Sequence, residues 1–158
     1  MSQRIDELVA RLHKGSHKTQ EILGGLTGDQ WKMVLYEGPP TWTVRDLLAH
    51  FLSAEEALLH IMQDVTAGGP GAPEGLDYNA FNAQEQVRLA GIPPHRLLAD
   101  LAAAREATIA WAEGLDEAAL DRAGRHPALG VVPVETFLNA IYGHQLMHMR
   151  DLQALFRP

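Results

Sequence analysis

Apolar residues recur at intervals of three and four in four long stretches, the spacing that lines one face of an α-helix. The first stretch begins at Ser2, a good N-cap residue, and runs through Ile5, Leu8, Val9, Leu12, Thr19, Ile22 and Leu23 to a stop at Gly24 and Gly25. The second opens on the sharpest start signal in the chain. In TWTVRDLLAH, Thr43 caps the helix, Asp46 stands at N3 to return the hydrogen bond, and Trp42 with Leu47 forms the matching hydrophobic staple. Val44, Leu47, Leu48, Phe51, Leu58, Ile61, Met62 and Val65 carry the repeat onward to the breaker-rich AGGPGAP. A loop holding Asp77, Tyr78, Asn79 and Asn82 leads to a weaker helical piece ending near Gly91. Pro93-Pro94 then starts the third main helix, with Leu97, Leu98, Leu101, Ala104, Thr108, Trp111 and Ala112 among its apolar positions. The fourth starts at Pro133, a residue favoured at the first helical position, and continues to Phe156.

No alternation of apolar and polar residues is long enough for a sheet, so the expected fold is all-α. Four helices of this size bury their stripes most simply as a four-helix bundle. With no repeat, low-complexity tail or internal boundary, residues 1–158 read as a single domain. Loop length does not fix the topology. The stretch from Thr66 to Asn79 can extend over about 46–50 Å, enough to recross a bundle of helices about 33 Å long. Helices two and three therefore fit a parallel or an antiparallel arrangement.

Composition removes several functions. The 158 residues are 46% hydrophobic and 21% charged, as in ordinary globular proteins. Lys and Arg number 13 against 20 for Asp and Glu, a net charge of −7 that argues against a phosphate-backbone partner. The absence of cysteine excludes disulfides, thiolate metal sites and a cysteine nucleophile. The N-terminal MSQRIDELVARLHKG is charged throughout, unlike a signal peptide, and no apolar run nears the roughly 20 residues of a membrane helix. The expected setting is cytoplasmic. The expected partners are a small-molecule substrate and a second copy of the chain in a homodimer, with no nucleic acid and no membrane.

Eight histidines are present, and three of them are informative by position. His144 and His148 in GHQLMHMRD lie four residues apart, one turn along the same face of the fourth helix. Phe137, Ile141, Leu152 and Leu155 share that face, while Glu135, Asn139, Arg150 and Gln153 lie roughly opposite. Two imidazoles on a core-directed stripe need partners. They either hydrogen-bond to other side chains at a wet end of the bundle, or point one nitrogen each at a shared cation, as in helical zinc motifs. His50, beside Leu47, Ala54, Ala57 and Ile61, is the third candidate, or else an interfacial polar residue. Three imidazoles from two helices would leave further positions on a metal open to water or substrate.

The remaining histidines, His13, His17, His60, His95 and His126, fall in polar segments or off the His50 face and are expected to be exposed. Asp151 lies on the His144/His148 face and is a candidate to orient an imidazole from behind, to bind metal itself, or to pair with an arginine. Asp46 is read as a capping residue. Tyr78, Asn79 and Asn82 are candidates to border the pocket, although turn chemistry accounts for the asparagines equally well. Trp42 is the tryptophan expected nearest the site.

WTVRDLLAH in the second helix and GHQLMHMRDL in the fourth resemble the paired signatures of the DinB-like, or YfiT-like, metal-dependent four-helix bundles. The resemblance covers essentially the whole chain. It implies metal ligands at His50, His144 and His148, and an up-down-down-up bundle with a long crossover between helices two and three. The family includes thiol-dependent transferases and isomerases that use mycothiol or bacillithiol, and hydrolases. The related mycothiol-dependent maleylpyruvate isomerases have Glu where His144 stands and carry an additional C-terminal domain, so that particular isomerisation is not expected of this chain.

The nucleophile has to come from outside the chain, since the only serines are Ser2, Ser16 and Ser53 and there is no G-x-S-x-G elbow. Two enzyme classes follow. One is an S-transferase joining a low-molecular-weight thiol to a small electrophile, which the resemblance favours. The other is a hydrolase using metal-bound water. The non-catalytic alternative is a protein that sequesters a small electrophile. Zn²⁺ or Ni²⁺ is the expected metal, with Mn²⁺ or Fe²⁺ also suited to imidazole.

Overall fold

The architecture described here is that of a computed structural model covering residues 2–158. Four long helices form where the periodicity placed them: α1 (Gln3–Gly24), α3 (Val44–Thr66), α5 (Pro94–Glu113) and α6 (Val134–Leu155). Their ends are set locally. The Ser2 side chain accepts from the amide of Ile5, and Thr43 and Asp46 form a reciprocal capping box at the head of α3. Pro133 serves as the residue just before α6, with Val134 its first helical position.

α1 packs against α5 and α6, and α3 packs against the same two, so α1 and α3 lie diagonally across the bundle. Side-chain links then give each helix its direction. Arg4, in the first turn of α1, bonds Glu135 in the first turn of α6 at 2.8 Å, so these two run parallel. Gln20, near the end of α1, donates to the carbonyl of Leu98, near the start of α5, so that pair is antiparallel. Arg45, in the first turn of α3, donates to the carbonyl of Ile92, two residues before α5, so those helices start at the same end and run parallel. His50, early in α3, meets His144, late in α6. The order is up-down-down-up, which resolves the arrangement that loop length alone left open.

Parallel α3 and α5 require a connection that returns the length of the bundle. It contains α4 (Tyr78–Arg88), capped by Asp77 and laid along α3. Gln86 donates to the carbonyl of Asp46 at 2.8 Å, and Arg88 reaches Glu56. Arg45 then ties the end of the crossover to α3 by donating to the carbonyls of Leu89 and Ile92.

The expectation of no sheet is corrected by two small antiparallel hairpins. One pairs β1 (Val34–Tyr36) with β2 (Trp42–Thr43), and the other pairs β3 (Ala123–His126) with β4 (Gly130–Pro133). Strands of two to four residues are too short to show a period of two, so pattern reading passes over them. The short α2 (Gly28–Lys32) and a 3₁₀ turn (Glu117–Asp121) complete the chain. Gly38, between β1 and β2, has φ of +71°, and a Cβ there would strike the backbone of Pro40. That turn folds the first hairpin over one end of the bundle.

The core divides along the bundle axis. At one end Ile5, Leu8, Met62, Ile109, Phe137 and Ile141 pack together beneath the β3–β4 hairpin. At the other, Leu47, Leu48, Phe51, Leu97, Met149 and Leu152 pack beneath the β1–β2 hairpin. Arg105 lies almost wholly buried, its guanidinium donating to both carboxylate oxygens of Glu55 and to the carbonyl of Leu12.

Candidate metal centre

The antiparallel crossing of α3 and α6 brings the three histidines together at the β1–β2 end. His50 comes from the second turn of α3, while His144 and His148 are one turn apart on α6. Nε2 of His50 lies 3.1 Å from Nε2 of His144, which lies 3.0 Å from Nε2 of His148. All three nitrogens sit within 4.8 Å of one another.

Hydrogen bonding among themselves cannot satisfy this arrangement. Each neutral imidazole has one protonated and one bare ring nitrogen. A proton on the central His144 Nε2 serves one neighbour well, and a second proton pointing inward would collide with it. A cation, by contrast, takes a lone pair from each ring at once. Nitrogens bound to one zinc ion at about 2.0–2.1 Å lie roughly 2.9–3.4 Å apart over the usual range of angles. The two separations that involve His144, 3.1 and 3.0 Å, fall in that range.

Burial keeps the rings neutral. The imidazole of His50 is pushed down to about 3 by burial, with His144 and His148 as further causes. His144 is pushed down to about 4, first by burial and then by the imidazoles of His148 and His126. His148 is also lowered by burial, with Asp151 opposing the shift. Neutral imidazole is the form that binds metal. His50 is buried, whereas His144 and His148 are half-exposed at the edge of the α6 stripe rather than at its centre, which Ile141, Gln145 and Leu152 occupy. The cluster therefore has a deep side and an open side.

The β1–β2 hairpin supplies Tyr36, a residue that the sequence reading missed. The Tyr36 hydroxyl lies 2.7 Å from Nδ1 of His148 and 2.5 Å from Oδ2 of Asp151. Asp151 thus meets the cluster through Tyr36 rather than by touching an imidazole itself. Burial and the Asp151 hydrogen bond raise the Tyr36 phenol above its usual range, so it holds its proton. Trp42 lies with its ring centroid 4.9 Å from that of His50, as expected of the tryptophan nearest the site. The available signal for Tyr36 was the Gly-Pro-Pro turn between two aromatics in LYEGPPTW, a hairpin pattern.

Among the described residues, the other candidates make no hydrogen bond to the three imidazoles. Asp46 is spent on the cap of α3. Tyr78, Asn79 and Asn82 lie on α4, and among the described residues none of their side chains hydrogen-bonds to the three imidazoles. A cleft of about 540 Å³ between α3, α5 and the crossover holds Arg88 and Glu56 but none of the three histidines. His13, His17, His60 and His95 are exposed as expected. His126 is not, which corrects that expectation. Its Nδ1 accepts from the amides of Ala128 and Leu129, and its ring packs on Phe137, because the β3–β4 turn folds back over α6.

A sequence model of the DinB superfamily matches residues 11–152. The chain belongs to the DinB superfamily. Among solved structures, YfiT from Bacillus subtilis, described as a probable metal-dependent hydrolase with an unusual four-helix bundle topology, superposes with a TM-score of 0.79. It is 18% identical, with 98% of this chain and 87% of YfiT covered. The mycothiol-dependent maleylpyruvate isomerase gives 0.75 at 20% identity over 96% of this chain, which spans only 63% of that protein. The colibactin self-resistance protein ClbS, solved in complex with double-stranded DNA, gives 0.73 at 18% identity, covering 95% of each chain. No curated protein matches the chain in sequence.

These matches establish the fold, and one of them corrects the exclusion of nucleic acid. ClbS shares this fold and is solved with duplex DNA. A net charge of −7 is a sum over the whole surface, whereas phosphate contacts depend on local groups, so the sum does not exclude such a partner. Among the described residues, no helix is long and apolar enough to cross a membrane.

Proposed function

We propose that this DinB-superfamily chain is an enzyme that depends on a divalent metal held by His50, His144 and His148 and that joins a low-molecular-weight thiol to a small electrophile. The observation that carries the metal is the convergence of three Nε2 atoms that protons cannot satisfy. When bound there, a cation supplies undiminished positive charge, which acidifies a thiol or water and polarises an oxygen. Zn²⁺ or Ni²⁺ suits the all-imidazole set.

The protein's own residues favour an external thiol over water. Ser53 is buried and donates to the carbonyl of His50, and Ser2 caps α1, so neither is placed as a nucleophile. The two acids adjoining the ligands are both engaged: Asp46 with Thr43, and Asp151 with Tyr36. With both nearby carboxylates already in hydrogen bonds, the site suits the nucleophile that releases a proton more readily, and a thiol is several pKa units more acidic than water. His144 and His148 are only partly buried, which suits an approach from the solvent side.

The likeness to YfiT favours a second reading, a metal-dependent hydrolase. Incubating metal-loaded protein with a panel of low-molecular-weight thiols and model electrophiles, with His144→Ala as control, separates the readings. Multiple turnovers that consume thiol support the transferase. Metal-dependent addition of water without thiol loss supports the hydrolase, and loss of electrophile limited to the amount of protein indicates sequestration.

A further inference from the structure

The three candidate ligands differ in what holds the ring nitrogen that faces away from the cluster. Nδ1 of His50 is buried and, among the described residues, has no hydrogen-bond partner. Nδ1 of His148 has one, and its chemistry fixes the direction of the hydrogen bond. The Tyr36 hydroxyl has a single proton and two close neighbours, Oδ2 of Asp151 at 2.5 Å and Nδ1 of His148 at 2.7 Å. An ionised carboxylate only accepts, so the phenolic proton lies toward Asp151. The Tyr36 oxygen is then left to accept, and Nδ1 of His148 must donate. An imidazole protonated on Nδ1 is bare on Nε2, the nitrogen that faces His144.

We propose that Tyr36, oriented by Asp151, is a positioning residue that selects the tautomer of His148 and so presets one lone pair of the metal centre before any metal arrives. The proposal rests on the three-histidine reading of the site. It makes His148 the ligand whose protonation pattern the protein dictates, while His50 must carry an orphaned Nδ1 proton whenever its Nε2 serves as a ligand. Such hydrogen bonds behind a ligating histidine fix ring orientation and raise ligand basicity. The hairpin is well placed for this. The Tyr36 ring meets the edge of His148 with centroids 5.7 Å apart, and Trp42 covers His50 from the next strand.

Two substitutions separate tautomer selection from simple support. Tyr36→Phe removes the acceptor and leaves the ring. Asp151→Asn does more, because the new amide can donate to the Tyr36 oxygen, turning the phenolic proton onto Nδ1 of His148 and forcing the other proton onto Nε2. Replacing a carboxylate by an amide behind a histidine has this effect in hydrolase triads. Asp151→Glu keeps the carboxylate.

The experiment reads the tautomer directly in metal-free, ¹⁵N-labelled protein by long-range proton–nitrogen correlation, and reads Zn²⁺ affinity by competition with a chromophoric chelator. The wild type should show His148 protonated on Nδ1. Tyr36→Phe should give a mixture of tautomers and bind Zn²⁺ about 10–100-fold more weakly. Asp151→Asn should shift the proton to Nε2 and lose at least as much affinity, and Asp151→Glu should restore both readouts in part. Far-ultraviolet circular dichroism checks the fold, and Asp151, being exposed, carries the test if Tyr36→Phe is poorly folded. A wild-type His148 protonated on Nε2, or tautomer and affinity unchanged in both variants, would overturn the proposal. Failure of the wild type to bind Zn²⁺ would instead overturn the three-histidine reading, with the tautomer still deciding whether the clamp exists.

Discussion

Arg105 with Glu55 and the His50/His144/His148 cluster are both polar groups set into the same bundle, and they are finished in opposite ways. Each nitrogen of Arg105 has an acceptor, and both oxygens of Glu55 accept from it. That cluster closes on itself. The histidines aim three nitrogens at one point, with a buried Nδ1 of His50 left over and two rings half-exposed. That cluster is complete only when something else enters. Buried polar groups are costly unless satisfied, so the closed pair serves folding, and the open trio is where the proposed metal would complete the bonding. Their positions agree: the pair sits mid-bundle where α1, α3 and α5 meet, and the trio sits at an end under a hairpin.

The largest expected effect is on the closed pair. Glu55→Ala leaves a guanidinium uncompensated in the core and should cost about 3–5 kcal/mol in chemical denaturation. The double replacement Glu55→Leu with Arg105→Met should recover most of that loss, since an apolar pair of similar volume is often neutral or better. If the single and double variants are equally destabilised, the closed cluster is more than a self-compensating pair.

Acid should act next, through the open cluster. Imidazoles titrate near 6.5 in an unfolded chain, whereas His50 and His144 are held at about 3 and 4 by burial among other imidazoles. Between those limits the unfolded chain binds protons that the folded chain refuses. Stability of the metal-free protein should therefore be full above about pH 6.5 and fall as pH drops toward 4. A loss of only 1 kcal/mol would lower the melting temperature by about 2–4 °C for a chain of this size. Melting curves that are flat from pH 7.5 to 4.5 would show that the rings are not held neutral.

Smaller still is the effect of removing a ligand or the metal on the fold. His144→Ala should change the stability of the metal-free protein by less than about 1 kcal/mol, because a half-exposed ring with no satisfied partner is lost. Chelation should leave the helical circular dichroism spectrum in place, since four apolar stripes in a chain this long form a bundle without a metal staple. Collapse to a coil spectrum on chelation would place the histidines among the groups that hold the fold.

What could be read in advance follows the range of the interactions. The helix starts at Ser2 and Thr43 are set within four residues, and the capping signals stated them outright. His144 and His148 share a face by spacing alone, His50 joined them as a third candidate from its place beside the apolar positions of the second helix, and the family resemblance implied the same set. Tyr36 is 112 positions from His148, and nothing local in VLYEGPP announces that its hydroxyl will reach α6. His126 looked exposed because its segment is polar, and only the fold-back of β3–β4 onto Phe137 buries it. Arg105 was passed over because arginine rarely lies in a core. Its place four residues after Leu101 and four before Ile109, both buried, was the overlooked sign.

Metal stoichiometry tests the difference between the two clusters most directly. Protein equilibrated with Zn²⁺ or Ni²⁺, freed of excess ion and measured by elemental analysis should retain a single cation per chain. His50→Ala, His144→Ala and His148→Ala should each lose it, while the Glu55→Leu/Arg105→Met variant keeps it. Full metal content in His148→Ala, or none in the wild type, would contradict a centre built from these three histidines.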